Sequence, residues 1–496
     1  MPPTTKTQIK TKERRQVIGP ILHFRGVQGE RWRVSALFVL NGAAEPPDMK
    51  ADGVMLPIPP RHIATLGKRH VWRWEFAVPR GETETRVGYG FPDGARWYMT
   101  VPAIAKMPRI AYTACNGTED EDVFSQQNLP RNARWGHLNG LHRTQAYHLL
   151  LHGGDQLYAD ALWEECPSLK AWGALPARDA IAAQFTPAMA EEAEAFYFDL
   201  YCRQWSQAES AALLSTVPSI MMWDDHDIFD GWGSHPDERR TCPVFQGVFG
   251  VARRSFSLFQ LGCAPDDLAD CVWGASVGTF TQGFRIGDLG IFVPDLRTER
   301  SQARVMSEET WAELPGWLDR FDGCRHVLLM SSVPMVFANL HTVERLVNLW
   351  PGTAAMEDDL RDQWRSYVHE KEYMRLIRLL GGLARDQHLQ LTILSGEIHL
   401  GACGVIHGAG FDLWQLTSSG IVHPAPSKLY ADVLERLSKG TETIAADTTL
   451  EMVPFPETGR RYIRARNWLA LTFDEAGRLN AHWQVEGEKE PLMRII

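Results

Sequence analysis

The sequence predicts an α/β protein preceded by a small antiparallel β domain. Two observations predict this arrangement. Between Gly19 and about Val101, β-branched and aromatic segments of alternating polarity are interrupted by Pro, Gly and Asp turns, which is typical of antiparallel strands. After residue 108, short apolar runs alternate with long amphipathic stretches, which is typical of a sheet covered by helices. We therefore expect a β-sandwich over residues 1–103, with disordered first residues, and an α/β domain over residues 104–496.

Composition and charge are those of a globular protein. The chain has 496 residues, of which 44% are hydrophobic and 23% charged, so a disordered or collagen-like chain is excluded. Its formal net charge of −10 argues against specific or nonspecific nucleic-acid binding. His, Ser or Pro interrupts the apolar stretches within ~10 residues, short of the ~20 that a membrane span needs. We therefore expect no transmembrane segment.

The eight cysteines bear on the cellular compartment. They form no CxxC pair, and in a chain of this length such a pattern is typical of reduced thiols. Arg14 and Arg15 would suit an export signal, but the segment from Gln16 to Arg25 is too short and too interrupted to be its apolar region. The sequence therefore predicts a cytoplasmic protein and leaves its oligomeric state open.

Individual segments support the prediction of two domains. The clearest strands of the β domain are Trp32–Val39, Val71–Val78 and Thr85–Gly90, and the expected linker is Pro102–Pro108. In the α/β domain we expect helices over Ala188–Gln207 and Asp359–Gln387 and a final hairpin of Trp468–Phe473 and Leu479–Val485. Residues 1–12 are rich in Thr and Lys and are expected to form a loose tail.

Five apolar runs of the α/β domain end in polar side chains that suit metal or phosphate binding. These side chains are Cys115 and Asn116, then Asp155 and Tyr158, then Asp225 and His226, then Arg297, and finally Glu397 and His399. Because ligands bind beyond the carboxyl ends of the strands in sheets of this kind, we expect the five ends to meet at one rim. Glycines before Asp155 and Glu397 allow the backbone to turn sharply there.

This set of residues favours a metal centre. Oxygen, nitrogen and sulfur donors from separate strands suit transition metals, and a carboxylate can bridge two ions. Two ions ~3.5–4 Å apart polarise a phosphoryl oxygen and generate a hydroxide near neutral pH. A neighbouring histidine can then protonate the leaving alkoxide, so no side-chain nucleophile is needed.

The motifs resemble those of the alkaline phosphatase D-like branch of the calcineurin-like metallophosphatases. That branch has a Cys in its first motif, Gly-Asp-x-x-Tyr in its second, Asp-Asp-His in its third and Gly-Asp-x-His in its fourth. This sequence has Cys115, Gly154–Tyr158, Asp224–His226 and Gly396–His399, and the segment Asp295–Arg297 is similar to the Asp-x-Arg of the branch. The resemblance covers roughly residues 105–425. It implies a four-layer α/β/β/α metallophosphatase core, which would make residues 104–496 the catalytic domain.

The resemblance implies roles for individual residues. Cys115, Asp155, Tyr158 and His399 match the ligands of a first metal, for which it suggests Fe(III), and Asp155 matches the bridging carboxylate. The residues that match a second site, open to Ca, Mg, Mn or Zn, are Asp225 and Glu397, the latter standing where the branch more often has Asp. The matches on the substrate side are His226 as the general acid and Arg297 as a phosphate clamp, with an ordinary salt bridge as the alternative for Arg297. Asn116 could contact the phosphate or cap a turn.

The sequence therefore predicts metal-dependent hydrolysis of a phosphoric ester, whether monoester or diester, by a metal-bound hydroxide at a binuclear site. Its expected cofactors are two metal ions, and its expected partner is the phosphate-ester substrate. Two alternatives stay open. One is a non-catalytic binding or scaffold protein on the same fold, and the other is a metallohydrolase of a non-phosphate ester.

Overall fold

The computed structural model describes residues 16–42, 46, 48–92, 94–338, 364 and 369–496. The predicted tail over residues 1–12 lies outside these residues, as do residues 359–363 and 365–368 of the predicted helix Asp359–Gln387. The rest of that helix is observed as Glu370–Asp386. The predicted helix Ala188–Gln207 is observed as Pro187–Trp205, where the Thr186 side chain accepts a hydrogen bond from the Met189 amide and fixes the start.

The strands, numbered in chain order, fall into three sets along the chain. The N-terminal strands are β1 (Gln16–Gln28), β2 (Arg31–Asn41), β3 (Lys50–Ala51), β4 (Val54–Met55), β5 (Arg61–Leu66), β6 (Arg69–Pro79), β7 (Thr85–Gly90) and β8 (Arg96–Val101). The central strands are β9 (Ile110–Thr113), β10 (Leu149–Gly153), β11 (Ser219–Met222), β12 (Gln282–Ile286), β13 (Leu289–Val293), β14 (His326–Met330) and β15 (Gln390–Ser395). The C-terminal strands are β16 (Gly401–Gly408), β17 (Phe411–Thr417), β18 (Thr441–Ala445), β19 (Thr448–Met452), β20 (Tyr462–Ile463), β21 (Asn467–Phe473), β22 (Leu479–Val485) and β23 (Leu492–Ile495).

The helices of the described residues, also numbered in chain order, lie mainly after β9. The α-helices are α1 (Asp122–Gln126), α2 (Ala133–Thr144), α3 (Leu162–Glu165), α4 (Pro167–Gly173), α5 (Ala177–Ala182), α6 (Pro187–Trp205), α7 (Ala208–Leu214), α8 (Asp237–Arg240), α9 (Pro243–Phe259), α10 (Glu308–Leu318), α11 (Glu370–Asp386) and α12 (Lys428–Leu437). Short 3-10 helices cover Trp273–Val277 and Asp319–Phe321.

Two large sheets form the centre of the molecule. The first has the order β23-β22-β21-β9-β10-β11-β1-β2-β6-β5, and the second runs β12-β13-β14-β15-β17-β16-β19-β18, with β20 paired to β16. Strands β9, β10 and β11 are parallel, as are β13, β14, β15 and β17. Parallel strands send all their carboxyl ends to one edge, so the loops after β9, β10, β11, β13 and β15 share a rim.

The sheets face each other and carry helices on their outer sides. Alternate residues of β10 point to opposite faces, so Leu150 packs with Trp135 of α2 while Leu151 joins the large core between the sheets. Phe24 of β1 contacts Phe284 of β12 with ring centroids 5.5 Å apart, which ties the two sheets together. Helix α11 packs on β15 and β17 of the second sheet, on the face that points away from the first sheet. The four-layer α/β/β/α arrangement is thereby confirmed.

The N-terminal strands form the predicted sandwich, but one of its sheets belongs to the larger architecture. Phe38 and Phe76, from β2 and β6, pack on Trp97 and Tyr89, from β8 and β7, with ring centroids 5.6 Å apart in both pairs. Strand β1 also pairs in parallel with β11, so β1, β2, β6 and β5 extend the first large sheet. The division at residue 103 stays a prediction.

Three further expectations concern membrane-spanning segments, the cysteine thiols and the final hairpin. Among the described residues, no helix is both long and apolar enough to cross a membrane. All eight cysteines are buried and free of disulfide bonds. The final hairpin is confirmed, because β21 and β22 pair antiparallel from Asn467↔Val485 to Phe473↔Leu479.

Candidate metal centre

The rim after the parallel strands brings the predicted side chains into one region. After β9, the Cys115 amide donates to the Gly154 carbonyl at 3.2 Å, and the Asn116 amide donates to the Asp155 carbonyl at 2.7 Å. Ala114 forms a parallel bridge with Gly420, which joins the first sheet to the loop after β17 of the second. The backbone after β9 is therefore joined to the loop after β10 of the first sheet and to the loop after β17 of the second sheet.

Four of the predicted ligands hold an unusual backbone conformation. Cys115, Asp155, Glu397 and His399 have φ angles of 51°, 54°, 61° and 55°. Only seven non-glycine residues of the described chain have positive φ, so more than half of them are predicted ligands. Left-handed backbone at non-glycine residues costs ~1–3 kcal/mol each and clusters at functional sites, where the surrounding structure enforces it.

The glycines before Asp155 and Glu397 are required by the geometry. Gly154 has φ of 104°, and a Cβ on it would lie 2.8 Å from the Asp224 Cβ. A Cβ on Gly396 would lie 2.4 Å from the Ala114 Cβ, so a side chain there would push the ends of β15 and β9 apart. Gly396 therefore allows the two sheets to approach at the rim, and Gly154 allows the ends of β10 and β11 in the first sheet to lie close together.

Cys115, Tyr158 and His399 form what we call the thiol side. The Cys115 Sγ lies 3.7 Å from Asp155 Oδ2, and the Tyr158 hydroxyl lies 3.5 Å from His399 Nε2. Burial and the Asp155 charge raise the pKa of Cys115 well above its usual range. Burial and the charge of His423 lower the pKa of His399 well below its usual range, so this imidazole is neutral and able to bind a metal.

Asp224, Asp225 and Arg297 form what we call the carboxylate side. Asp155 stands between the two sides, and carboxylate oxygens of Asp155, Asp224 and Asp225 lie within 4.8 Å of one another. Burial and the neighbouring Asp224 raise the pKa of Asp155 well above its usual range. Asp225 also belongs to a second group of potential ligands, with His226 and Asp230.

The guanidinium of Arg297 is fully buried on the carboxylate side. Its Nε donates to Asp224 Oδ1, its Nη2 donates to Asp225 Oδ1 at 3.3 Å, and its Nη1 donates to the Trp232 carbonyl at 3.1 Å. The side-chain exposure is 0%. This geometry favours the salt bridge that the sequence left open over the predicted phosphate clamp.

The predicted acid His226 lies beside the carboxylate side. Its Nδ1 contacts Asp160 Oδ2 at 2.9 Å, and its ring stacks on Tyr158 with centroids 4.3 Å apart. Burial lowers the pKa of His226, but the charges of Asp160 and Asp225 outweigh burial and hold the pKa well above its usual range. The imidazole therefore carries a proton that it can donate.

Asn116 is buried and fully engaged. Its Oδ1 accepts from the Trp135 indole at 2.7 Å, its Nδ2 donates to the Gln156 carbonyl at 3.4 Å, and its carbonyl accepts from Gln204. The geometry favours the turn-stabilising alternative for this residue over contact with a phosphate.

The residues present suit a pair of metal ions. The donor set offers a thiol, a phenol, a neutral imidazole and several carboxylates, which is the mixture that transition metals and harder cations share. Asp155 Oδ1 is buried and accepts no hydrogen bond from any described part of the chain. A buried carboxylate oxygen without a donor is costly, and a cation would satisfy it.

The structure also reveals residues at the rim that the sequence analysis did not include among the site residues. Asp224 stands in the same acidic motif as Asp225. Asp160 and Glu119 hold His226, and His423 stacks on His399 with centroids 3.4 Å apart. Burial raises the pKa of Glu119, but hydrogen bonds from His226 and His423 outweigh it and hold the pKa well below its usual range. Asp224 lies within the motif Asp224–His226, and Asp160 follows the motif Gly154–Tyr158 by two residues, whereas Glu119 lies in no motif.

One sequence motif outside the candidate centre is that of a serine nucleophile. Gly274–Gly278 matches the Gly-x-Ser-x-Gly pattern of serine hydrolases. Ser276 is exposed and lies in the 3-10 helix Trp273–Val277, whereas a nucleophile elbow requires a tight turn from a strand into a helix. This segment is therefore not a nucleophile elbow.

Solved structures show where the fold has been seen before. The structure of PhoD matches over 96% of this chain and 88% of that chain, with a TM-score of 0.59 and 12% sequence identity. The purple acid phosphatase PPD1 from yellow lupin (Lupinus luteus) seeds matches over 96% of this chain and 73% of that chain, with a TM-score of 0.51 and 10% identity. At these identities the likeness concerns the fold.

Sequence comparison adds a curated relative and a family. The uncharacterized protein YGR266W of Saccharomyces cerevisiae is 28% identical over 415 residues, which are 69% of this chain and 57% of the relative. The chain thus spans little more than half the length of that relative.

The family model described as PhoD-related phosphatase matches residues 135–354 and 350–440. These segments include seven of the predicted site residues and begin after Cys115 and Asn116. They cover more than half of the chain, and the protein therefore belongs to the PhoD-related phosphatase family.

Proposed function

We propose that this chain hydrolyses phosphoric monoesters or diesters at a centre of two metal ions. One observation carries the proposal. Cys115, Asp155, Glu397 and His399 follow strands of two different sheets, and each holds a left-handed backbone; in addition, Asp155 Oδ1 is buried with no hydrogen-bond donor among the described residues. A protein that needed this rim only as a set of turns would have little reason to keep four strained non-glycine residues there.

The donor chemistry suggests how the two ions divide the residues. Cys115, Tyr158 and His399 would hold the first ion, with Asp155 as the bridge. A thiolate and a phenolate together favour Fe(III), which the resemblance to the D-like branch also suggests. Asp225 and Glu397 would hold the second ion, and their oxygen donors suit Ca, Mg, Mn or Zn. Glu397 is the least constrained of these assignments, because its backbone position alone supports it.

The bound ions would supply Lewis acidity and lower the pKa of water. The chain's own residues do the rest. His226, held at Nδ1 by Asp160 and stacked on Tyr158, would donate its Nε2 proton to the leaving oxygen. Arg297 would keep Asp224 and Asp225 in place through one hydrogen bond to each, and neither bond has to break when substrate binds. In this role Arg297 acts as a positioning residue.

The cellular setting is part of the same proposal. The eight free, buried cysteines support a reducing compartment, and we propose the cytoplasm. The match covers 57% of the length of the curated relative YGR266W, so the activity of a protein of that full length is also part of this proposal.

The decisive experiment combines metal analysis with an activity panel. Wild type, Cys115→Ala and the control Cys166→Ala, a change at a buried cysteine that is not a predicted ligand, are analysed for metal per chain and for turnover of a phosphomonoester, a phosphodiester and a carboxylic ester. We expect wild type to hold two ions and to hydrolyse a phosphoric ester, and Cys115→Ala to lose one ion and most activity. A metal-free, inactive wild type would support the scaffold alternative. Preference for the carboxylic ester would support the second alternative, and full metal and turnover in Cys115→Ala would overturn the ligand assignment.

A further inference from the structure

A cavity of about 580 Å³ lies in the N-terminal part of the molecule, where β1, β2 and β6 meet the segment 51–58. Its volume is within the ~300–1,000 Å³ that is usual for ligand pockets. None of its described lining residues is a predicted metal ligand. Much of the lining is apolar and comprises the buried Val34, Phe76 and Val78 and the 69%, 42% and 54% exposed Val54, Met55 and Ile58. Three large apolar side chains exposed within five residues are typical of a binding surface.

Three arginines line the same cavity. Arg31 and Arg33 stand two residues apart on β2, so their side chains leave the strand on the same face. Ser35 continues this spacing, and its hydroxyl accepts a hydrogen bond from Arg25 Nε at 2.9 Å, which places the Arg25 guanidinium on that face as well. The cavity therefore combines an apolar surface with several positive charges.

Arg25 is a buried cation whose direct partners are neutral. The residue is only 6% exposed, and its Nε and Nη2 donate to the Ser35 hydroxyl and, at 3.1 Å, to the Gly262 carbonyl. Arg25 forms no ion pair with any residue that the structure describes. Glu75 also lines the cavity, but it is ion-paired with Arg73 at 2.8 Å. Because a buried charge without a counter-ion is costly, an anion in the cavity would compensate the charge of Arg25.

The remaining charged groups of the lining leave an excess of positive charge. Arg33 is ion-paired with Asp270 at 2.7 Å. Arg31 donates to a backbone carbonyl of β6 at 2.6 Å and has no acidic partner in the described part of the chain. Asp52 is exposed in the turn between β3 and β4. Once the ion pairs are set aside, Arg25 and Arg31 face one exposed carboxylate, so the cavity favours a negatively charged ligand.

We propose that this cavity binds an amphiphilic anion, namely an aliphatic chain that ends in a carboxylate or a phosphate-like group. The head group would lie at Arg25 and Arg31, since a guanidinium presents paired donors to either kind of anion. The chain would cover Val54, Met55 and Ile58 and remove them from water, which a bare inorganic anion could not do. The site is separate from the candidate metal centre, and the inference goes beyond the proposed hydrolysis and does not depend on it.

A comparison of ligands tests the predicted chemistry. Titration calorimetry on the metal-loaded protein would use decanoate, decylphosphonate, decanol and decyltrimethylammonium. We expect at least one of the two anions to bind, and we expect decanol and decyltrimethylammonium to bind at least ~10-fold more weakly than that anion, because both lack the charge-assisted hydrogen bonds. The tighter of the two anions identifies the head group. Binding of neither anion, or equal binding of decanol, would overturn the proposal.

Variants of the lining locate the bound anion. We expect Arg25→Met and Arg31→Gln each to raise Kd for the tighter anion by at least ~10-fold, through loss of a charge-assisted hydrogen bond. The double variant Val54→Ser, Ile58→Ser should raise Kd ~10-fold through loss of apolar contact with the chain. Arg31 is exposed, so its variant decides the question even if Arg25→Met fails to fold.

The matched controls change exposed residues that do not line the cavity. Arg96→Gln removes an exposed arginine from β8, and Val433→Ser removes an exposed valine from α12. Both should bind the anion within about twofold of wild type, as surface substitutions remote from a site do. An unchanged Kd in both Arg25→Met and Arg31→Gln would show that the anion binds elsewhere, for instance at the metal centre, and would overturn the proposal.

Discussion

The thiol side and the carboxylate side of the centre manage charge in different ways. On the carboxylate side, Asp224 and Asp225 share a fully buried guanidinium, that of Arg297. On the thiol side, burial raises the pKa of Cys115 and of Tyr158, which keeps both groups protonated. The carboxylate side therefore has an internal cation, whereas the thiol side avoids charge by holding its protons. An ion entering the thiol side has to displace those protons, because only deprotonated donors bind metals.

Asp155 is a predicted ligand that touches both sides. Its Oδ2 lies 3.7 Å from the Cys115 sulfur, and it shares the acidic group with Asp224 and Asp225. We expect Asp155→Ala to abolish the binding of both ions and to lower turnover by more than the ~10–100-fold that loss of a supporting contact causes. Elemental analysis and turnover of a phosphate ester measure the two effects.

The outcome separates a bridge from a ligand of one ion. Asp122→Asn, an exposed carboxylate on α1, serves as the control and should retain both ions. If Asp155→Ala keeps one ion at full occupancy, the two sides bind independently and Asp155 is not shared between them.

Arg297 tests whether the carboxylate side depends on its internal cation. Removing one partner of a buried ion pair typically costs ~3–5 kcal/mol, because the remaining charges stay buried without compensation. We expect Arg297→Met to lower the free energy of unfolding by about that amount in the presence of a chelator. Added metal should recover part of the loss, since a cation at Asp225 replaces some of the missing charge.

Chemical denaturation with and without metal measures the loss of unfolding free energy and its partial recovery. Arg297→Lys provides a milder variant should Arg297→Met fail to fold. A phosphate clamp would behave differently. If Arg297→Lys raises KM for the ester and leaves stability unchanged, Arg297 contacts substrate and the positioning role is wrong.

The same contrast explains what the sequence could predict. The final hairpin was predictable because alternation and a Gly-containing turn are local signals that the pairing of Asn467 with Val485 then satisfies. The polar ends of the strands were predictable because each follows an apolar run directly. The pattern therefore identified Cys115, Asp155 and His399 as candidates for one rim without any knowledge of their distances.

Long-range partners carried no such signal. The Arg297 guanidinium and Asp225 are 72 residues apart in the chain, and His423 and Glu119 are 304 apart. Nothing in the local sequence distinguishes an arginine that holds two carboxylates from one that holds a phosphate. The pairing of β1 with β11 could not be predicted either. The hydrophobic pattern of a strand indicates which face is buried, but it does not indicate which strand lies beside it.

The smallest expected effect concerns the identity of the ion on the thiol side. The Tyr158 hydroxyl lies 3.5 Å from His399 Nε2, and the Tyr158 ring stacks on His226 at 4.3 Å. Tyr158→Phe keeps the ring and its stacking and removes only the oxygen. If a phenolate binds Fe(III), the wild-type protein absorbs visible light by charge transfer from that oxygen, and the variant loses the band. Because three of the proposed donors remain, turnover should fall by only ~10-fold, about the lower bound for loss of a supporting contact at a metal site.

Tyr147→Phe, a change at a buried tyrosine packed on Trp468, is the control and should leave the spectrum unchanged. A visible band that survives in Tyr158→Phe would remove the phenolate from the thiol side, and a colourless, fully active wild type would place a metal other than Fe(III) there.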